Sequence, residues 1–203
     1  MSRRAVARIA FLLQVVYVAL TFGWRSWLQF RATGDTGFRL SRENPTEARA
    51  ASALIAGGAV MGLVGVAAAT TRAEGRRAGR ARLLGVAGIA TGLVATYRAQ
   101  LDMGASWRIG LDAQERTELV TDGLFRFSRN PIFSSMALVA LGSALAAPNA
   151  ATATGAALMV SGVELQVRSV EEPYLRDAHG DAYDAYAERI GRFLPRVGVN
   201  RPE

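Results

Sequence analysis

The residues able to do chemistry in this sequence fall into two groups. The first lies in residues 121–133, TDGLFRFSRNPIF, where Arg126, Arg129 and Asn130 stand among Phe125, Phe127 and Phe133. The second lies in the tail, where the pair Glu171 and Glu172 is followed by Tyr183 and Tyr186. Arginines beside a helix start, whose first N–H groups have no intrahelical partner, suit a carboxylate or a phosphate. Paired carboxylates can accept hydrogen bonds from a ribose or an amine, or face a cationic centre. The aromatic side chains can stack an adenine or contact a sulfonium. A ligand with a carboxylate, a cation and an aromatic base matches all three features. S-adenosylmethionine is such a ligand, and NADPH also fits the arginines. Thiolate nucleophiles, disulfides and cysteine metal sites are excluded, because the chain has no cysteine. With His179 as the single histidine, no histidine-based metal site is expected.

These groups need elements to hold them. Asn130 suits an N-cap and Pro131 the first helical position that follows. An apolar span over 131–147, a tight uncharged turn at Pro148 and Asn149, and a second span over 150–163 then form a hairpin. Upstream, Arg3, Arg4 and Arg8 precede an apolar run over 9–24 without a small-x-small cleavage site, which reads as a retained first span. Trp24 and Trp27 suit an interfacial aromatic belt. Residues 25–49 read as a polar loop with turn chemistry at Gly34, Asp35, Thr36 and Gly37. No Gly-Lys-Ser/Thr follows, so a phosphate loop is not expected there; the loop is a connector or shapes a substrate entrance. The span over 50–71 carries Gly58, Gly62 and Gly65 at the spacing of close helix packing. A third span over 83–97 is short, with Arg82 and Arg98 able to snorkel at its ends. Met136 and Met159 read as packing. Past Glu164, four-residue spacing puts Glu164, Arg168 and Glu172 on one helical face. Alternatively, Glu171 and Glu172 form a solvated face that pairs Arg168 and Arg176. Pro173 should kink or end this segment. Tyr183, Tyr186, Ala187 and Ile190 then share one face of a short amphipathic helix.

The length of 203 residues suits one domain. Half the residues are hydrophobic and mean hydropathy is +0.15 although 20% are charged, and the two kinds are segregated into blocks. The expected fold is therefore an all-α integral membrane protein of about five transmembrane helices, with a C-terminal helical cofactor-binding region over 164–203. Every basic residue is arginine, and Ala, Gly and Val abound, which suggests a GC-rich bacterial genome. The net charge of +7 is better matched to membrane lipids and topology than to nucleic acid. An odd number of spans puts the termini on opposite sides. Residues 25–49, 98–130 and the tail then share one side and hold 16 arginines, against 8 on the other. The positive-inside rule makes the richer side cytoplasmic. The N-terminal arginines and the connector over 72–82 argue the other way. The expected location is a bacterial cytoplasmic membrane, crossed several times, with the site facing the cytoplasm.

The motif over 120–133, the hairpin, and the pattern Glu171, Glu172, Leu175, Gly180, Tyr183, Tyr186, Arg192 and Pro195 resemble the isoprenylcysteine carboxyl methyltransferase family and related membrane phospholipid methyltransferases. The family's first motif reads like G-P-Y-R-Y-x-R-H-P-x-Y. Its second reads like E-E-x-x-L, then F-G-x-x-Y-x-x-Y, then R-x-x-P. The resemblance implies methyl transfer from S-adenosylmethionine to a lipophilic acceptor entering from the bilayer. It implies cofactor contacts from Arg129, Asn130, Pro131, Glu172 and Tyr183, with Gly123, Phe125, Phe133, Glu171, Tyr186 and Pro195 in the same pattern. Arg129, Asn130 and Glu172 are the expected catalytic set. Asn130 stands where histidine is usual, Leu124 replaces a proline, and Phe125, Phe127 and Phe133 stand where tyrosines are common. His179 replaces a phenylalanine. Asn130 cannot titrate near neutrality as histidine does. Two other classes fit the architecture: an NADPH-dependent membrane reductase of the sterol-reductase kind, and a non-catalytic lipid-binding membrane protein.

Overall fold

The computed structural model describes residues 1–39, 45–72, 78–104, 107, 109–110 and 118–199, and only the backbone of 38–39, 72 and 109–110. The first helix, α1 (Arg3–Thr33), starts on Ser2, whose hydroxyl accepts from the Ala5 N–H at 3.2 Å. It widens into a π-helical stretch at Ala19–Trp24 and continues, so the polar residues expected to begin a loop at 25 are helical to 33. Hydropathy falls at Arg25, but no helix breaker occurs until Gly34. That residue takes φ 76°, and its N–H closes on the Phe30 carbonyl at 2.8 Å. The expected turn at 34–37 follows, with Gly37 N–H donating to Asp35 Oδ1 at 2.8 Å.

Helices α2 (Thr46–Arg72), α3 (Arg80–Asp102), α4 (Pro131–Ala146) and α5 (Ala150–Gln166) complete the bundle. The third is longer than the apolar run that announced it. Beyond α5, a π turn at Val167–Glu171 leads into α6 (Glu172–His179), and α7 (Asp181–Ala187) follows. Pro173 therefore does not end the segment. A π turn displaces the backbone bond that proline cannot make, which lets the helix run on. The described residues are helical apart from turns and one two-residue parallel pairing, β1 (Phe38–Arg39) with β2 (Ile109–Gly110).

Small residues set the packing. A Cβ on Gly58 of α2 would stand 2.8 Å from the Gly155 carbonyl of α5, and one on Gly65 would stand 2.7 Å from the Thr152 backbone. Gly85 of α3 meets the Ala146 backbone of α4 in the same way, at 2.4 Å. Backbones this close admit no side chain. Met136 and Met159 lie in the core with Val6, Tyr17, Ile89 and Val163. The hairpin turn is fixed by a reciprocal capping box between Asn149 and Thr152, and Asn149 Nδ2 also reaches the Gly65 carbonyl at 3.0 Å.

The bundle has two distinct ends. At one, Ala78 N–H meets the Met1 carbonyl, Arg4 reaches Thr71, and Arg82 reaches the Ala146 carbonyl. At the other, Arg25 reaches Gly104, and the start of α4 meets the chain beyond α7. Two helices, Arg3–Thr33 and Thr46–Thr71, are long and apolar enough to cross a membrane, and Pro131–Ala146 is a shorter apolar helix.

Candidate functional site

The motif before α4 is positioned from below by Asp102, the last residue of α3. Its Oδ2 accepts the Leu124 N–H at 2.9 Å, and Gly123 turns over it with φ 58°. A Cβ on Gly123 would stand 2.3 Å from that carboxylate, so this glycine answers a steric need. The 3₁₀ turn Gly123–Arg126 follows and buries Phe125, whose carbonyl accepts the Tyr186 hydroxyl at 2.6 Å.

Residues 128–134 are then stitched to 191–193. Arg129 N–H donates to the Gly191 carbonyl at 2.9 Å, and Ser134 Oγ to that of Phe193 at 2.8 Å. The Arg192 carbonyl accepts from Ser128 Oγ at 3.1 Å and from Asn130 Nδ2 at 3.2 Å. Asn130 occupies the N-cap position as expected, but its side chain makes no capping bond. Its amide is spent on holding the tail, so the first N–H groups of α4 have no side-chain cap.

Glu172 joins the two halves. The π turn advances the chain by more than an ordinary helical turn and rotates Glu172 away from Glu164 and Arg168, which pair with each other. The expected shared face of Glu164, Arg168 and Glu172 is thus broken. Glu172 is 4% exposed. Its Oε1 accepts from Arg129 Nη2 at 2.6 Å and from Arg192 Nε at 2.8 Å, and Oε2 accepts from Arg192 Nη2 at 2.7 Å. Arg129 Nη1 also donates to the Ala187 and Ile190 carbonyls, at 2.9 and 2.7 Å, where α7 ends and its dipole is negative. Burial alone would raise the Glu172 pKa. The hydrogen bonds from Arg192 and Arg129 outweigh it and hold the carboxyl below its usual range. The solvated pairing of Glu172 with Arg168 and Arg176 does not occur, and Arg176 pairs with Asp184 at 2.9 Å instead.

Tyr183 and Tyr186 lie edge to face beneath this frame, 6.3 Å between centroids. Burial pushes the Tyr183 phenol up to about 12, with the Glu172 charge adding to it, and burial raises Tyr186 as well. The buried Tyr183 hydroxyl faces the Arg129 guanidinium, whose Nε makes no other hydrogen bond.

Of the residues singled out from sequence, Phe125, Arg129, Asn130, Pro131, Glu172, Tyr183 and Tyr186 are brought together and buried. Phe133 packs partly buried against the bundle core, and Glu171 accepts from Gln166 Nε2 at 3.3 Å. Arg126 and Phe127 are exposed, and Pro195 lies in an exposed turn closed by Val197 N–H on the Leu194 carbonyl. Sequence reasoning missed Asp102, Ser128 and Gly191, and noted Arg192 only as part of a pattern. A Cβ on Gly191 would stand 2.0 Å from the Leu194 carbonyl, a requirement no local pattern announces.

A search of curated proteins finds no match to the chain. The family model of phospholipid methyltransferases matches residues 81–182, from the start of α3 to the start of α7. That range spans the hairpin, Arg129 and Glu172, and stops short of Tyr183 and Arg192. It agrees with the resemblance carried by the paired motifs. Covering just over half the chain, the match places this protein in the phospholipid methyltransferase family of membrane methyltransferases, which includes the isoprenylcysteine carboxyl methyltransferases.

Proposed function

We propose that this protein transfers a methyl group from S-adenosylmethionine to a lipophilic acceptor, at the cytoplasmic face of a membrane that its five long helices cross. The observation that carries this reading is the buried frame Arg129–Glu172–Arg192, which joins the two motif halves around an uncapped helix start. The residues present fit the donor. Its carboxylate would meet the open N–H groups of Ile132 and Phe133. Glu171 lies at the edge of the frame for a ribose or an amine, and Phe133 lines the same helix start. When bound, the donor supplies an electrophilic methyl group on a sulfonium that is its own leaving group.

The chain's own part is positioning, which can supply much of the rate of a bimolecular transfer. None of these frame groups suits a general base near neutrality: Glu172 is held ionised by two arginines, Tyr183 and Tyr186 stay protonated, and Asn130 does not titrate. A carboxylate or thiolate acceptor needs no base from this frame, whereas an amine at neutral pH would need one.

Membrane embedding is supported by an inside-out distribution. Leu12, Val15, Val60, Val64, Leu84, Val94, Leu141 and Leu145 are exposed, while Gln14, Thr21, Arg25 and Gln100 are buried. A groove of about 450 Å³, lined by Ala90, Thr91, Val94, Ala95, Arg98 and Leu124, runs along α3 to the 3₁₀ turn and suits an apolar chain. The test is calorimetry on the protein in detergent with S-adenosylmethionine and its demethylated product, followed by transfer of labelled methyl groups into a lipid extract. Micromolar binding that is lost in Arg129→Ala, together with label in an extractable lipid, is expected. Binding of NADPH and neither methyl compound would refute the proposal.

A further inference from the structure

Helix α1 buries a polar stripe where a membrane bundle would ordinarily be apolar. Gln14, Tyr17, Thr21, Arg25 and Gln29 recur every three or four residues, Ser26 stands beside Arg25, and all are buried. Most of the stripe is satisfied from α3 and α4. Gln14 donates to Ser143 Oγ, Thr96 Oγ1 meets the Tyr17 hydroxyl at 3.5 Å, and Gln100 Nε2 donates to the Thr21 carbonyl at 3.0 Å.

Arg25 differs. It is 5% exposed. Its Nη1 donates to Gln29 Oε1 at 3.2 Å and its Nη2 to the Gly104 carbonyl at 2.6 Å, and its guanidinium lies 4.6 Å from the centre of the buried Trp107 ring. Every one of these partners is neutral, and no carboxylate among the described residues pairs with it. Buried charges are ordinarily paired, because an isolated ion in low dielectric is costly. Arg25 Nε and the neighbouring Ser26 Oγ are both buried without a hydrogen-bond partner. Two open donors, one of them charged, want an anion.

The layer lies at the functional end of the bundle. Gly104, which Arg25 holds, is two residues beyond Asp102, the carboxylate under the Gly123–Arg126 turn. Gly37 closes the far side, where a Cβ would stand 2.9 Å from the Trp107 ring.

We propose that Arg25 and Ser26 form a subsite for an oxyanion, a carboxylate or phosphate, on the polar head of an anionic amphiphile that serves as the methyl acceptor. The assignment of this amphiphile as acceptor rests on the methyltransferase reading; the anion subsite itself does not. Arg25 is a binding residue here, and the anchored group need not be the one methylated.

The test uses the full chain in a nonionic detergent. Binding of oleate and of dioleoyl phosphatidic acid is measured by calorimetry against dioleoylglycerol and inorganic phosphate, in wild type, Arg25→Gln, Arg25→Lys and Ser26→Ala. An anionic amphiphile should bind and the neutral one should not. Loss of a charge-assisted contact is worth roughly ten- to a hundredfold in affinity, so Arg25→Gln should weaken binding by at least about tenfold. Arg25→Lys should restore part of it, and Ser26→Ala should cost a few fold. Binding of the demethylated donor product should be unchanged in all three variants. Arg25-dependent binding of inorganic phosphate would support the subsite and make free phosphate a sufficient ligand. If wild type binds the amphiphile through Arg25 but never binds the methyl donor, the subsite stands and the methyltransferase reading falls. Equal binding of charged and neutral amphiphiles, or unchanged affinity in both Arg25→Lys and Ser26→Ala should Arg25→Gln fail to fold, would overturn the proposal.

Discussion

Replacing Glu172 by glutamine should release the tail before it disturbs the bundle. The side chain is almost fully buried and accepts three charge-assisted bonds of 2.6 to 2.8 Å from Arg129 and Arg192. Glutamine keeps one acceptor oxygen but leaves two guanidinium groups facing each other with no counter-charge. Breaking a buried ion pair by removing one partner costs about 3–5 kcal/mol. Part of that falls back on the carbonyls of Ala187 and Ile190, which still accept from Arg129, so the lower end, about 3 kcal/mol, is expected for glutamine and more for alanine. The bundle does not depend on this network, because α2 with α5 and α3 with α4 pack through glycine contacts far from it. Limited proteolysis in detergent should therefore show earlier cleavage within 180–199 while the bundle fragment resists. Arg192→Lys, which keeps the charge but loses the two-pronged bond, should fall between wild type and Glu172→Gln. Identical cleavage rates in wild type and Glu172→Gln would show that the frame does not hold the tail, and the construction of the site given above would be wrong.

Three further outcomes follow from the same structure. Gly85→Ala pushes a methyl group to 2.4 Å from the Ala146 backbone and should lower the thermal midpoint in detergent by an amount corresponding to about 1–3 kcal/mol; Gly62→Ala, whose nearest neighbour would be Gln14 Nε2 at 3.9 Å, should leave it unchanged. Tail attachment should vary with pH at both extremes, read by the same proteolysis. The depressed Glu172 carboxyl contributes stability above its ordinary value of 4.5 that is lost as pH falls through the lower folded value, and the raised phenols contribute stability below pH 10 that is lost as pH rises, through about 12 for Tyr183. Because the chain has no cysteine, Pro148→Cys and Ala182→Cys report orientation directly; an impermeant maleimide on intact cells should label the first and spare the second, and the reverse pattern would invert the proposed topology.

Much of the hairpin and its motif was legible in the sequence because the signals there are local. Asn149 and Pro148 mark the turn, Pro131 marks a helix start, and the tyrosines sit at helical spacing. Failures came where a residue's role depends on something distant. Hydropathy ended α1 too early, since its later residues are polar for reasons set by α3 and Trp107, and only Gly34 stops the helix. Asn130 is an excellent capping residue by type, yet the Arg192 carbonyl, 62 residues away, claims its amide. Four-residue spacing placed Glu172 beside Arg168, but a π turn before Pro173 breaks the register, and propensities do not encode that turn. Gly191 and Asp102 looked unremarkable because close approach and a single carboxylate under a turn are tertiary facts.

Among the described residues, the two most buried arginines at this end of the bundle sharpen what the chain builds and what it leaves open. Arg129 and Arg25 are comparably sequestered, at 3% and 5% exposure. For the first, the fold delivers a carboxylate from another helix, a second arginine to share it, and two carbonyls at a helix C-terminus, with only Nε left over. Its job is to hold the two motif halves together, and a structural guanidinium is paired in this way because the alternative is expensive. For the second, the described residues supply an amide, a carbonyl and an indole face, all neutral. A guanidinium pre-oriented by neutral partners keeps its charge unspent for a ligand. Under the proposed methyl transfer, the frame around Arg129 supplies no base near neutrality, and an anionic head is the kind of group that Arg25 would draw into that end of the bundle.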